Sequence, residues 1–431
     1  MTSGFADVIE NPNRWLSTLR DIVEEKYVLL PGHDDFAKYE QDETEDLRFA
    51  PQVVARPKET REIQEIVRLA ETERIPIVPR GGGTGLSGGA LATRGGIVLS
   101  LERMNRILDI DEKNFFAVVE PGVITQTFQE AVEEHGLFYP PDPASRGSCT
   151  IGGNIAENAG GPRALKYGVT KDYVHGLRAV ITGGEQVSFG GKLLKDVAGY
   201  NMVQLFVGSE GTLGIVTEAT LRLISFPKFR RTLLAPFDNL KDAASAVPAI
   251  MTGGIVPAVL EFMERDCLKA IETHRGSPVR FSDRAAVLLI ELDGNHEDRL
   301  DSEMERVAEI LDQHRAADCF LAASSEQQNE IWDIRRSAGE AVKAICPYKE
   351  EDAVVPPSRL PDLVAGVHEI CNRWKLRVIC YGHAGDGNIH CNLLKAGLSD
   401  EVWIEKVPDA IEEIFRLTVS LGGTISGEHG I

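Results

Sequence analysis

The sequence predicts an α+β protein in two parts, and three observations carry that prediction. Helical and extended patterns alternate along the chain, glycines gather into three tracts in its first half, and after about Pro227 they thin out as longer amphipathic helices begin. Each element can be justified in turn.

From Thr60 the apolar residues Ile63, Ile66, Val67 and Ala70 recur at helical spacing, so a helix is expected there, giving way to a short strand over 75–78. A glycine-dense loop follows at 80–89, then strands over 96–101 and 115–119. A second glycine tract covers 149–161 and a third covers 208–217. Beyond the boundary near residue 227, helices over 297–314 and 326–344 are interleaved with strands such as 286–292. That order suggests an antiparallel sheet backed by helices.

Composition narrows the function classes. At 431 residues, with 43% hydrophobic and 26% charged, the chain is an ordinary globular protein able to bury substantial cores. A formal net charge of -20 repels phosphate backbones and anionic lipid, so no nucleic-acid partner is expected. Seven cysteines with no CxxC pair suit reduced thiols. The N-terminus lacks the basic and apolar regions of an export signal, and no apolar run reaches the roughly 18 to 20 residues of a transmembrane segment. A cytoplasmic enzyme is expected, with attachment to the inner membrane through a partner left open.

The string GTGLSG at 83–88 matches the dinucleotide pattern G-x-G-x-x-G after a strand. A Rossmann turn also needs a helix starting inside the motif. The following GGALATRGG (88–96) opposes one, because each glycine costs about 1 kcal/mol relative to alanine. The loop should therefore return directly to a strand, its successive backbone N–H groups forming a nest for a diphosphate. The tracts at 150–154 and 158–161 would let backbone pass closely against a large planar cofactor.

A second constellation lies near the end of the chain. HAGDGNIH (383–390) supplies two histidines seven apart, and EHG (428–430) adds a carboxylate and a third imidazole. Two imidazoles, one carboxylate and a neighbouring base are what a zinc-type site with an open position requires. A zinc hydrolase would use the same ligands but would leave the glycine tracts unexplained. Cys380 and Cys391 flank the first string and would serve as soft ligands if the metal were purely structural.

Taken together, VVARP (53–57), PRGGGTGLSGG (79–89), EPG (120–122), PPDP (140–143), TIGGNIA (150–156), NAGG (158–161), YG (167–168), GSEGTLGIVT (208–217) and the two C-terminal strings carry a resemblance over residues 45–431. The chain resembles the vanillyl-alcohol oxidase superfamily, in its branch of FAD-linked D-2-hydroxyacid dehydrogenases, D-lactate dehydrogenases and glycolate oxidase flavoprotein subunits. The resemblance implies an α+β fold: a PCMH-type FAD-binding domain of two α/β subdomains, followed by a ferredoxin-like α+β substrate or cap domain. The expected divisions are an N-terminal helical segment over 1–48, the FAD domain over 49–227 and the oxidase C-terminal domain over 228–431. In similar proteins a further segment follows the EHG string, so that last domain is expected to be truncated.

The same resemblance implies residue roles. Arg80, Gly81, Gly82, Gly83, Thr84, Gly85, Ser87 and Gly88 look like the pyrophosphate loop. Pro143, Ser145, Thr150, Gly153, Asn154, Ala156, Asn158 and Gly161 look like the flavin lining, with Ile215 and Val216 as backbone contacts. With no histidine in the phosphate loop, noncovalent FAD is expected, and Cys149 is read as a buried thiol rather than a tether. His383, His390 and Glu428 are implied as ligands of a divalent metal, zinc first, and His429 as the base. Arg335 is similar in position to the arginine that holds the substrate carboxylate, and Lys349 is a second candidate cation. Some relatives carry threonine where this chain has Gly339, which leaves the acid open.

The activity implied is oxidation of a small D-2-hydroxy acid, D-lactate or glycolate, by hydride transfer to flavin N5. Electrons would pass to a non-NAD acceptor: an iron-sulfur subunit, an electron-transferring flavoprotein or quinone. The chain has no cysteine cluster of its own for iron-sulfur binding, and a homodimer is compatible with this reading. An accessory flavin-binding subunit without turnover of its own is the competing expectation.

Overall fold

The computed structural model describes residues 13–45 and 47–430, which divide into two compact units. The first takes in the chain up to Gly160, Gly168–Phe226 and the residues from Glu428 on, and the second takes in Gly161–Tyr167 and Pro227–Gly427.

In the first unit the expected helix forms at Thr60–Glu73 and buries Ile63, Ile66 and Ala70. They pack with Trp15, Leu16 and Leu19 of the helix Asn13–Ile22 against Val53, Ile97 and Leu99 of a four-stranded sheet. The N-terminal segment expected to be helical thus also contributes a strand, Val28–Leu29, paired antiparallel with Val53–Ala55. The strand expected over 75–78 runs instead as Ile77–Arg80. Arg74 closes the helix in the left-handed region, the Ile75 amide still bonds Ala70, and Pro76 has no N–H for a ladder.

Ile97–Ser100 pairs parallel with both Val53–Ala55 and Ile77–Arg80. Between residues 80 and 97 there is no helix, so the glycine loop alone makes this parallel connection. A five-stranded antiparallel sheet completes the unit, in the order Ile107–Asp111, Phe116–Val119, Ile215–Arg222, Val174–Val180, Gln186–Gly190.

The second unit is built on a seven-stranded antiparallel sheet. Its order is Phe320–Leu321, Phe229–Phe237, Ala286–Gly294, Val259–Glu264, Arg377–Gly382, Asn388–Leu394, Tyr348–Val354. Leu288, Ile290 and Leu292 face the helices Leu240–Thr252, Glu297–Gln313 and Leu360–Trp374, while Val287 and Leu289 face Arg265–Arg275 and Ser325–Arg336. Helices therefore cover both faces, which explains why the central strand reads as a continuous apolar run rather than an alternating one. The single helix expected over 326–344 is broken into Ser325–Arg336 and Ala338–Lys343. At the break Ser337 Oγ donates to the Ile334 carbonyl at 2.7 Å, competing with the helical backbone bond. Among the described residues no helix is long and apolar enough to cross a membrane.

Candidate functional site

The first unit holds a cleft where the three glycine tracts meet. One cavity of about 240 Å³ is lined by parts of all three tracts together with Glu428 and His429. A neighbouring cavity of about 690 Å³ shares Arg80, Gly81, Gly82, Gly83 and Thr150 in its wall. The tracts are packed on one another at backbone distance: a Cβ on Gly82 would lie 2.4 Å from the Ser148 carbonyl oxygen. At Gly153, by contrast, a Cβ would meet only Thr150 Oγ1, at 3.5 Å. Protein atoms do not exclude a side chain there, whereas a ligand in the cleft would.

The second tract forms an unexpected element. Ile151–Glu157 is a short helix despite two glycines, with Thr150 as its N-cap accepting from the Gly153 amide at 3.4 Å. Asn154 turns inward and donates to Thr125 Oγ1 at 2.7 Å. Cys149 bonds the same hydroxyl and is buried.

Most residues expected at the cofactor line the first cavity: Arg80 to Gly85, Pro143, Ser145, Thr150, Gly153, Asn154, Ala156, Ile215 and Val216. Ser87, Gly88, Asn158 and Gly161 lie outside both cavity walls. Asn158 ends the helix in the left-handed region, and its Oδ1 accepts from the Lys171 amide at 2.9 Å. The Arg80 guanidinium is committed elsewhere, donating to the Lys38 and Gln41 carbonyls at 2.9 and 2.8 Å and lying 5.6 Å from the Tyr39 ring centre. It ties the loop to the preceding segment, so backbone amides are what the glycine loop offers an anion.

Two carboxylates in this cleft escaped the sequence reading. Glu157 and Glu210 both line the cavity. Burial first, then the charges of Glu210 and Asp42, push the Glu157 carboxyl up to about 7, against the opposing pull of His429. Glu157 Oε2 and Ser87 Oγ are buried without a hydrogen-bond partner among the described residues. A carboxylate inside a glycine string, as in AENAGG and GSEGT, was the available signal. The glycine cradle and the open space at Gly153 fit a large cofactor with an anionic centre.

The second unit places His383 and His390 edge to face, with ring centres 5.3 Å apart. His383 Nδ1 is 2.7 Å from Glu261 Oε1, and His390 Nδ1 is 3.3 Å from Glu350 Oε1. The Glu261 carboxylate at Nδ1 fixes the His383 ring and leaves Nε2 as its ligating nitrogen, an arrangement that fits a metal-binding histidine. Glu261 is fully buried and its other oxygen accepts from Arg335 Nε at 2.7 Å. Burial works to raise the Glu261 pKa, but the Arg335 and His383 charges prevail and hold it below the usual carboxylate range.

Arg335, expected to meet a substrate carboxylate, is thus buried against Glu261, with its guanidinium 5.2 Å from the Tyr381 ring centre. Lys349 pairs with Leu393, whereas His390 pairs with Asp352. Side chains alternate along a strand, so Lys349 faces the opposite side of the sheet from His390.

Two family models match the chain. Residues 51–190 match the model of an FAD binding domain, and residues 226–431 match that of the FAD linked oxidases, C-terminal domain. The chain is 43% identical to the glycolate oxidase subunit GlcD of Bacillus subtilis (strain 168), over 95% of this chain and 88% of that protein. It is 35% identical to the D-lactate dehydrogenase of Anaerostipes hadrus, over 93% and 84%. In fold it resembles the crystal structure of p-cresol methylhydroxylase with substrate bound, with a TM-score of 0.75 at 16% identity, covering 99% of this chain and 89% of that one. With an α+β fold, a glycine-lined cleft suited to FAD and relatives of this similarity over nearly its whole length, the chain belongs to the FAD-linked oxidase family of oxidoreductases.

Proposed function

We propose that this protein oxidises a small D-2-hydroxy acid, D-lactate or glycolate, to the 2-oxo acid. The observation that carries the proposal is that Glu428 and His429, remote in sequence from the glycine tracts, line the same cleft as those tracts. The names of the relatives, one a glycolate oxidase subunit and one a D-lactate dehydrogenase, supply the substrate class.

FAD, bound noncovalently, supplies the hydride acceptor. The residues of the chain then have separable tasks. Backbone amides of residues 81–85 hold the anionic part of the cofactor, because Arg80 is occupied in fixing the loop. His429, in its neutral form, takes the hydroxyl proton onto an imidazole nitrogen. A divalent ion, zinc by choice of donors, has the ligand set read from the motifs: His383, His390 and Glu428. Its chemistry would be to lower the pKa of the substrate hydroxyl. Arg335 acts through Glu261, holding the carboxylate that orients His383. Electrons leave to a separate iron-sulfur subunit, electron-transferring flavoprotein or quinone.

The test is to purify the yellow protein and add D-lactate, then glycolate, without oxygen. Bleaching of the flavin band by either acid supports the proposal. A protein that binds FAD but is bleached by neither would instead be an accessory subunit or would act on a different acid. His429→Ala should keep its FAD and lose bleaching; retention of the full rate would remove His429 as the base.

A further inference from the structure

The sheet of the second unit carries another group of ligating side chains, on the face away from His390. Cys380 pairs with Cys391, and Tyr381 with His390, across the strands Arg377–Gly382 and Asn388–Leu394. Alternation along each strand therefore puts the two thiols on one face and His390 on the other. Cys380 and Cys391 belong to the core shared with the helix Leu360–Trp374, which carries His368 and Cys371. Glu264, the last residue of the strand Val259–Glu264, completes the group.

The contacts are close. Glu264 Oε2 lies 2.8 Å from His368 Nε2, and Oε1 accepts from the Cys380 backbone amide at 2.6 Å. One ligand atom from each of Glu264, His368 and Cys380 lies within 4.8 Å of the other two. Glu264 and Cys380 are buried, whereas the His368 side chain is 28% exposed and gives the cluster an edge open to solvent. The hydrogen bond to Glu264 raises the His368 pKa despite burial, so without an ion this pair holds a proton between carboxylate and imidazole. A metal ion bound there would displace that proton and the proton of the Cys380 thiol.

We infer that Glu264, His368 and Cys380 form a structural site for a borderline-soft divalent cation of the zinc type. The donor set of one carboxylate, one imidazole and one thiol suits zinc, and the sheet separates it from the face that carries His390.

The FAD-loaded protein, dialysed against zinc and then freed of excess, can be examined by zinc stoichiometry and by X-ray absorption at the zinc edge. A sulfur shell at about 2.3 Å is expected, and it should persist in His383→Ala and vanish in Cys380→Ser. His368→Gln retains a donor for Glu264 on a partly exposed side chain, so it should fold even if the cysteine variant does not. It should weaken sulfur-ligated zinc at least about tenfold, the lower end of what even an outer-shell change costs. A wild-type protein with only nitrogen and oxygen neighbours, a sulfur shell that survives Cys380→Ser, or unchanged affinity in His368→Gln would overturn the inference. The group would then be a buried glutamate and histidine pair beside unreactive thiols.

Discussion

Replacing Arg335 with methionine removes the guanidinium that pairs with the fully buried Glu261. Removing one partner of a buried ion pair costs about 3 to 5 kcal/mol, because the remaining charge keeps its desolvation penalty without the attraction that offset it. His383 Nδ1 stays 2.7 Å from the same carboxylate and can still donate to it. A charge-assisted bond of that kind contributes about 1.5 to 3 kcal/mol, so the loss should fall toward the lower end, about 3 kcal/mol. Urea unfolding of the flavin-free protein, followed by tryptophan fluorescence, reads this out, since Trp332, Trp374 and Trp403 all lie in the second unit. The double variant Arg335→Met/Glu261→Leu removes both charges and should be more stable than Arg335→Met alone. A single-variant loss under about 1 kcal/mol, or a double variant no better than the single, would refute Arg335 as the counterion that holds Glu261 beneath His383.

Three further outcomes follow from the same geometry. Gly82→Ala puts a methyl 2.4 Å from a backbone oxygen that cannot swing away, so the protein should purify with less flavin per chain, measured as the ratio of visible to protein absorbance; full flavin content would contradict the packed-loop reading. Glu157, raised from its ordinary value near 4.5 to about 7, is neutral in the folded protein at pH 5 and ionised at pH 8, so its contribution to stability is lost as pH rises through that window. Glu157→Gln should therefore raise the melting midpoint of the flavin-free protein more at pH 8 than at pH 5, and an equal effect at both would remove the burial argument. Chelation should abolish turnover while FAD stays bound, with activity restored by a divalent ion. His383→Ala should fail to regain it, and a fully active His383→Ala protein would remove His383 from the ligand set.

Local chemistry made much of this molecule legible in its sequence. The helix Thr60–Glu73 was readable because four apolar residues recur at its period, and the helix-free loop after Arg80 because glycines are too costly for a helix there. The glycine tracts and the two histidine strings carried the family, since close backbone approach and metal ligation each demand particular residue types. Tertiary structure decided what those residues do with their side chains. Whether Arg80 meets a ligand or a carbonyl, whether Arg335 meets a substrate or Glu261, and which sheet face Lys349 takes all depend on partners far away in sequence. The same holds for Glu157, whose proton is kept by burial and by Glu210, and for Glu264, His368 and Cys380, which come together only when strand and helix pack. Periodicity and composition record what a residue can do, whereas desolvation and long-range pairing select among those options, and both arise only in the folded chain.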